Sequence, residues 1–418
     1  MLTNYDQVAI ASCDLFSPLP PVEPIVVGEE EIQPQFLGDL DNLIKQLPLL
    51  GDGVNRIGDL LQPHLDNLSD LAPRFEDLIP NFFNTAKYDP LTGYGLVNAA
   101  AAVSVALFGS FSTPFWNVQD LGGNEWANDL IKSPEVWQGT PFNRPITGEG
   151  VVVAVIDDGV DISHPDIAAN IWRNPREIPD NGIDDDGNGF TDDIHGWNFT
   201  TDSNNNDVRP ASPLDVHGTH VAGTIAALRN DLGSTGVAPN AKIMPIKIAD
   251  TTPDRRWQNV SPSNIARAIR YAVDNGAAVI NMSFGFNGFA PEMRDALEYA
   301  ASKNVVTVAA AGNKSGNTPM FPANQAISWG ISVGSVGRDM NLSDFSNRAG
   351  NHSGMLHVMA PGESIHSLAL DQKFCLSSGT SMAAPHVAGV VALMKSANPH
   401  LSASDIRKIL AETATKLS

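Results

Sequence analysis

Residues Ser378 to Gly389 read Ser-Gly-Thr-Ser-Met-Ala-Ala-Pro-His-Val-Ala-Gly and open a long apolar run that continues to Met394. The length of this run predicts a buried helix that begins near Ser381. A hydroxyl at a helix N-terminus lies where the helix dipole and the free N–H groups favour negative charge. Ser381 is therefore a candidate nucleophile.

Two earlier segments supply the partners that an activated serine requires. Residues 150–156 form a β-branched run typical of a parallel strand buried on both faces, and Asp157 follows directly. His217 opens a segment whose small residues recur near helical spacing. A serine, an imidazole that accepts its proton and a carboxylate that orients the imidazole form a triad wherever they lie in the sequence. We predict Ser381 as nucleophile, His217 as general base and Asp157 as orienting group.

The order Asp, His, Ser, with these flanking residues, resembles the subtilisin-like serine proteases (subtilases, peptidase S8), and within them the calcium-dependent proteases of cyanobacteria. The resemblance implies an α/β fold of three layers, in which a mostly parallel central sheet is flanked by helices, plus an N-terminal extension. It implies a serine endopeptidase that acts on protein or peptide substrates. Asn313, which ends a strand-like run, matches the family's oxyanion-hole asparagine.

Two strand-like runs resemble the family's substrate groove, in which an extended peptide adds as a strand and is recognised mainly through its backbone. Asp158 stands where many subtilases have Ser or Thr and where kexin- and furin-like convertases have Asp. That match implies a preference for a basic residue just before the cleavage-site residue. An inward Lys314 would disfavour a basic side chain in the deepest pocket, and an outward one would not. The predicted pocket walls are Ser283, Phe284, Gly285, Ala310, Ala311 and Gly312.

Residues 180–193 are rich in aspartate and carry oxygen-bearing side chains at alternate positions, followed by Gly189. This pattern is typical of a calcium loop, because hard cations take several oxygen ligands from a chain that turns sharply. His195 stands where an EF-hand has its bidentate Glu, so the loop has EF-hand-like chemistry without being an EF-hand. A solvated acidic turn is the alternative. The predicted ligands are Asp184, Asp186, Asn188, the Phe190 carbonyl and Asp192.

The resemblance to subtilases implies a second Ca²⁺ site. It involves a His-Pro-Asp segment after Asp157 and the loop of residues 228–234, whose length matches the family pattern. Asp120 is the candidate for a further ligand from near the start of the domain. The side chains of Asp166 and Asn230 and the carbonyls of Leu228, Leu232 and Ser234 complete the implied set.

Composition restricts the partners and the compartment. The 418 residues are 42% hydrophobic, and 47 acidic against 26 basic residues give a net charge of −21, which argues against nucleic-acid and anionic-membrane partners. Two cysteines, Cys13 and Cys375, do not make a disulfide framework. Without a recognisable signal peptide the default expectation is a cytoplasmic monomer, with periplasmic and extracellular locations left open.

The N-terminal region departs from the family pattern. Residues 1–85 contain Leu-rich runs broken by proline and predict a partly helical extension, either a pro-region or a regulatory segment. Residues 94–103 read Tyr-Gly-Leu-Val-Asn-Ala-Ala-Ala-Ala-Val and resemble the segment that closes the catalytic domain of subtilases. We predict that residues 86–110 are a permuted closing strand and helix, and that residues 111–418 form the peptidase domain. The alternative is a coincidental turn plus an Ala-rich helix.

Two other functions stay open at this point. One alternative to a calcium-dependent endopeptidase is a catalytically silent subtilase that serves as a scaffold, and the other is a zymogen whose N-terminal residues block the groove. The intact set of Asp157, His217, Ser381 and Asn313 argues against the scaffold, because a silent relative is expected to have lost at least one of them.

Overall fold

A computed structural model describes residues 14–16, 88–109, 115–139, 144–201, 203, 205–254 and 256–417. All of them belong to one structural unit, and the second unit, residues 20–83, lies outside the described part. The predictions for residues 1–85 therefore also lie outside it, apart from the backbone of residues 14–16.

The β-branched runs form strands as expected. Within the described residues the strands are β1 (Asp14–Phe16), β2 (Val152–Asp157), β3 (Trp197–Asn198), β4 (Lys242–Lys247), β5 (Asp250–Thr251), β6 (Trp257–Gln258), β7 (Val279–Met282), β8 (Val306–Ala310), β9 (Ile331–Val336), β10 (His357–Pro361), β11 (Ile365–Leu368) and β12 (Phe374–Ser377).

Seven of these strands form the central sheet, in the spatial order β10-β9-β8-β7-β2-β4-β3, and every neighbouring pair is parallel. Two small antiparallel sheets accompany it, with the orders β1-β12-β11 and β5-β6. Because parallel strands end at the same edge, the loops after β2, β7 and β8 meet at the carboxyl edge of the sheet.

Helices cover both faces of the sheet. The α-helices described are α1 (Ala99–Phe108), α2 (Trp126–Leu130), α3 (Ser133–Gln138), α4 (His217–Ala226), α5 (Pro262–Asp274), α6 (Pro291–Ser302), α7 (Thr380–Ala397) and α8 (Ala403–Thr413).

Side chains of β2 alternate between two separate hydrophobic cores. Val153 and Val155 belong to the core that contains residues of α1, α4, α7 and α8. Ala154 and Ile156 belong to the core that contains residues of α5 and α6. Successive side chains of a strand point to opposite faces, so this division defines the two helical layers. The predicted three-layer α/β fold is confirmed.

The segment before α1 pairs with the C-terminal end of the chain. Leu96 and Thr415 exchange two backbone hydrogen bonds of 2.8 and 2.7 Å, and the Val97 N–H donates to the Met359 carbonyl at 2.9 Å. Asn98 caps α1 through its side chain, which accepts from the Ala101 N–H at 2.9 Å. Residues 94–108 therefore belong to the same hydrophobic core as α7 and α8.

Cys375 in β12 is disulfide-bonded, which the sequence analysis did not expect. The other cysteine of the sequence, Cys13, lies outside the described residues. Among the described helices, none has the length and apolar character needed to cross a membrane.

Candidate active site

Asp157 and His217 form a buried, hydrogen-bonded pair at the carboxyl edge of the sheet. Asp157 is the last residue of β2, and His217 is the first residue of α4. The imidazole Nδ1 lies 2.7 Å from Asp157 Oδ1, and the two side chains are 5% and 0% exposed. The carboxylate holds Nδ1, so Nε2 is the nitrogen left to accept a proton.

His217 has the electrostatics of a base that works near neutral pH. Burial lowers the pKa of the imidazole, but the charge of Asp157 and the hydrogen bond to it raise the pKa, and the net shift is upward. Burial lowers the pKa of His220 and His357 to about 3 and that of His386 to about 4. Those three rings therefore stay neutral over the pH range in which His217 gains its proton.

Ser381 is the second residue of α7 and is 2% exposed. Its hydroxyl donates to the Ser283 carbonyl at 2.9 Å, and within the described residues no hydrogen bond joins it to His217. Catalytic hydrogen bonds are often long or misaligned in the absence of substrate. The hydroxyl must leave the Ser283 carbonyl before it can donate to the imidazole.

Asn313 lies in the loop after β8 and is oriented by Thr380. Its Oδ1 accepts hydrogen bonds from both the N–H and the hydroxyl of Thr380, each at 2.8 Å. The amide Nδ2, which is the donor an oxyanion needs, lies 3.1 Å from where a Cβ on Gly379 would stand. Thr380 was missed by the sequence analysis, because a threonine beside a nucleophile does not reveal which side chain it holds.

The predicted pocket residues lie at or just after the carboxyl ends of two directly paired strands, β7 and β8, and all are buried. The Ser283 hydroxyl donates to the backbone carbonyl of Ser381 at 2.7 Å, so this side chain supports the nucleophile. The ring of Phe284 lies 5.5 Å from that of Trp257, which lies 6.1 Å from the His217 ring. Trp257, in the short strand β6, was also missed, because a single aromatic residue carries no motif. Lys314 is exposed.

Met320 lies between the two predicted pocket walls. Met320 is close to both glycines. A Cβ atom added at Gly312 would lie 2.7 Å from Met320 Sδ, and one added at Gly285 would lie 3.2 Å from Met320 Cβ. The Met320 N–H donates to the Ala311 carbonyl at 2.9 Å, and the residue is 8% exposed. The gap between the walls is therefore occupied by the methionine side chain.

Asp158 is fully buried, with 0% exposure. Its Oδ1 accepts a hydrogen bond from the Gly218 N–H at 2.7 Å, and its Oδ2 lies 3.3 Å from the Thr251 hydroxyl. Both carboxylate oxygens therefore face the protein interior and not the surface where a substrate would bind.

The acidic loop gathers carboxylates, with one change from the predicted set. Oxygens of Glu177, Asp184 and Asp186 lie within 4.8 Å of one another. Asp192 is not in this group, because its carboxylate accepts from the N–H groups of Asn181 and Gly182 at 3.2 and 2.9 Å. Glu177 lies before the aspartate run, so the loop pattern did not reveal it.

Asn188 has a protein partner, and the ring of Phe190 lies in an aromatic cluster. The Asn188 amide donates to Asp193 Oδ2 at 3.1 Å, and the Phe190 ring packs against Trp197, Phe199 and Tyr271. Arg176 lies 3.0 Å from Asp186 and is the cation paired with the cluster. A buried Glu177 beside two more carboxylates fits a hard divalent cation, which prefers oxygen donors.

The second predicted metal site has a buried carboxylate with a free oxygen. Asp166 Oδ1 accepts from the Asn230 amide at 2.8 Å, whereas within the described residues Oδ2 has no hydrogen-bond partner. Burial raises the pKa of Asp166 to about 7. An oxygen that lacks a partner in such a place fits a cation ligand. The loop residues Leu228, Leu232 and Ser234 follow α4 as predicted.

Glu125 is a further acidic residue whose charge acts on this site. Asp120 is 71% exposed at its side chain and lies 4.0 Å from Lys132. Glu125 Oε1 accepts from the Thr235 N–H at 2.8 Å, and its charge acts on the carboxyl of Asp166. Both acids lie near the start of the proposed domain, and the sequence alone did not distinguish them, so Asp120 as a ligand stays a prediction.

The seven-stranded parallel sheet, flanked by helices, is consistent with a subtilisin-like fold. The chain belongs to the subtilase family (peptidase S8), whose family model matches residues 148–418. It is 36% identical over 292 residues to the alkaline protease of Alkalihalobacillus alcalophilus, covering 70% of this chain and 65% of that protein.

Two further relatives have similar identity. Subtilisin Savinase of Lederbergia lenta is 35% identical over 292 residues, which cover 70% of this chain and 91% of that protein. Thermitase of Thermoactinomyces vulgaris is 34% identical over 299 residues, which cover 71% of this chain and 91% of that protein. The matched stretch thus spans just under two thirds of the alkaline protease and most of the other two.

Proposed function

We propose that this protein is a calcium-dependent serine endopeptidase that hydrolyses peptide bonds through an acyl-enzyme. The observation that carries the proposal is the 2.7 Å contact between His217 Nδ1 and Asp157 Oδ1 at the sheet edge where α7 presents Ser381. The names of the relatives, alkaline protease, subtilisin and thermitase, support the same class of activity.

The reaction follows from the roles of four residues. The Ser381 hydroxyl attacks the scissile carbonyl carbon while its proton passes to His217 Nε2, and Asp157 stabilises the imidazolium that forms. The Asn313 amide and the Ser381 N–H donate to the developing oxyanion. Collapse of the tetrahedral intermediate breaks the C–N bond, and the leaving amine takes the proton from His217. Water, activated by His217, then cleaves the Ser381 ester.

The substrate preference that we propose is for a small side chain at the cleavage-site residue. An extended peptide beside the ends of β7 and β8 would direct that side chain between Gly285 and Gly312. Met320 occupies the same gap, so a large side chain would require the methionine to move. Overpacking of this kind costs about 1–3 kcal/mol.

The basic preference inferred from Asp158 stays a prediction. Peptide series that carry either lysine or alanine just before the cleavage-site residue test it directly. Asp158 is 0% exposed. Equal cleavage of the two series would show that Asp158 does not contact the substrate.

We propose calcium at both acidic sites. Glu177, Asp184 and Asp186 would hold one ion, and Asp166 with Asn230 would contribute to the other. Bound calcium would supply positive charge and cross-link loops, which stabilises the folded state by mass action. None of the proposed catalytic steps involves the calcium ion directly.

The chain organisation that we propose has residues 111–418 as the peptidase domain and residues 86–110 as its permuted closing strand and helix. The backbone pairing of Leu96 with Thr415 supports this arrangement. Residues 1–85 would act as a pro-region or regulatory extension of a monomer. The disulfide at Cys375 favours an oxidising compartment over the cytoplasm, because reducing conditions there keep thiols free.

The test is hydrolysis of casein and short peptides by wild type and Ser381→Ala, with excess calcium and with chelator. We expect Ser381→Ala to lose at least about 10⁴-fold in kcat. The matched control is Ser396→Ala, on the same helix, whose hydroxyl contacts Glu149 and which should stay fully active. Inactive wild type, even after limited proteolysis that removes the first ~85 residues, since chain termini are preferred sites of cleavage, would favour the scaffold.

A further inference from the structure

Asp158 connects three elements around the base. Its own N–H donates to Asp157 Oδ1 at 2.9 Å, and its Oδ1 accepts from the Gly218 N–H at 2.7 Å. Its Oδ2 lies 3.3 Å from the hydroxyl of Thr251 in β5. Gly218 follows His217 in the first turn of α4. Asp158 therefore contacts the strand that carries Asp157, the helix that carries His217 and the neighbouring hairpin.

The approach of α4 to β2 at this point is close. A Cβ on Gly218 would lie 2.9 Å from Asp157 Cβ and 3.1 Å from Asp158 Oδ1. The hydrogen bond from the Gly218 N–H to Asp158 Oδ1 thus sets the distance between the first turn of α4 and Asp157. A shift of about 1 Å in such a place can cost about 100-fold in rate.

The surrounding charges are already paired. His217 pairs with Asp157. Asp215 accepts three backbone N–H groups, from Thr251 at 2.6 Å and from Ala211 and Ser212 at 2.9 Å each. The buried Lys247 lies 2.8 Å from Asp250 and 3.9 Å from Asp215.

An ionised Asp158 would therefore be a second buried negative charge beside Asp157, with one imidazole between them. Burial and the charge of Asp157 raise the pKa of Asp158 well above its usual range, against the lowering effect of His217. Buried charges without a partner are costly, and one of two adjacent carboxyl groups keeps its proton.

We propose that Asp158 is a positioning residue that acts as a neutral carboxylic acid, fixing the start of α4, and with it His217, relative to Asp157. The carbonyl oxygen Oδ1 receives the Gly218 N–H, and the protonated Oδ2 faces the Thr251 hydroxyl. Asp158 then makes no contact with substrate. This inference rests on the proposed peptidase function for its kinetic consequences, but the protonation of Asp158 can be measured without activity.

The kinetic test compares Asp158→Asn, which is neutral and preserves both contacts, with Asp158→Ala, which removes them. We expect Asp158→Asn to keep kcat/KM within about threefold of wild type, with the acid limb of the pH profile unchanged. Asp158→Ala should lower kcat about 100-fold with little change in KM. Active-site titration refers each rate to folded enzyme. Asp161→Asn, whose carboxylate accepts from the Ser163 hydroxyl at 2.6 Å, is the matched control.

A charged, substrate-contacting Asp158 gives the opposite pattern. Asp158→Asn would then move the acid limb to lower pH, because His217 loses a neighbouring negative charge, and would lose cleavage of peptides with lysine before the cleavage-site residue. Either result overturns the proposal. Equal loss of activity in the Asn and Ala variants would also overturn it.

The second measurement is an infrared difference spectrum at neutral pH between Ser381→Ala and Ser381→Ala/Asp158→Asn. We expect a carbonyl band of a protonated carboxyl group that is lost with Asp158. Carboxylate bands in its place would overturn the proposal whether or not the wild type hydrolyses peptides. A protonated Asp158 in a chain that cleaves nothing would instead show that the peptidase function is what failed.

Discussion

Thr380 holds Asn313 with two hydrogen bonds of 2.8 Å, one from its N–H and one from its hydroxyl, both to Oδ1. The two residues are 67 positions apart, one after β8 and the other at the start of α7. The amide Nδ2 is thereby the group left to face an oxyanion. The residue next to the nucleophile orients the second donor.

Thr380→Val should lower kcat about 3- to 10-fold with KM nearly unchanged, because one hydrogen bond to Asn313 is lost while the backbone bond stays. Asn313→Ala should lower kcat about 10²- to 10³-fold, as loss of an oxyanion donor does in subtilisin. Thr380→Ser keeps the hydroxyl and should restore the rate. Steady-state kinetics on one peptide measure all three, and a fall in Thr380→Ser equal to that in Thr380→Val would contradict the role of the hydroxyl.

Met320→Ala should widen the cleft between Gly285 and Gly312. We expect the ratio of kcat/KM for phenylalanine against alanine at the cleavage-site residue to rise about 10- to 100-fold, from the burial of a large apolar side chain. Met340→Ala, at a methionine that is 47% exposed, is the control. An unchanged ratio would place the cleavage-site side chain elsewhere.

The pH profile should report His217. A base must be neutral to accept a proton, so kcat/KM falls as the pH drops through the pKa of His217. Burial lowers that pKa, but the charge of Asp157 and its hydrogen bond raise it above the ordinary imidazole value, and the acid limb should therefore lie above about pH 6.5. An acid limb well below this value would mean that Asp157 does not stabilise the charged imidazole.

Glu177→Gln should reduce the gain in thermal stability that calcium gives. At an ion concentration of about 100 Kd a site adds about 2.7 kcal/mol to the free energy of unfolding. Titration calorimetry should show two ions in wild type and one in Glu177→Gln, with Asp166→Asn removing the other. Glu292→Gln, in the exposed first turn of α6, should bind as wild type does. Two ions in both site variants would refute this assignment of ligands.

Gly95→Ala should destabilise the protein by about 2 kcal/mol or more, because φ is +103° and a Cβ would lie 2.2 Å from the Thr415 carbonyl oxygen. Chemical unfolding measures the loss. Gly109→Ala, also at positive φ but with nothing within 4 Å of the added Cβ, separates backbone strain from the clash. Equal losses would show that contact with Thr415 contributes nothing.

The chain alone was sufficient to predict the family, the three-layer α/β fold and the four residues of the proposed mechanism. Long motifs carry this information, because a buried parallel strand, a tight helix start and a reactive side chain restrict many neighbouring positions together. The comparisons confirm the family and the structure confirms the fold. The roles of Asp157, His217, Ser381 and Asn313 stay predictions that kinetics will test.

The tertiary structure decided which groups meet. Glu177 joins Asp184 and Asp186, the charge of Glu125 acts on Asp166, Met320 lies between the pocket walls, and Asp158 faces inward. Local patterns did not predict these arrangements, because each depends on how a side chain packs against its neighbours in the folded chain. Sequence motifs determine the chemistry at the strand ends of this protein, whereas the packing of the loops between them determines the charge and the space around that chemistry.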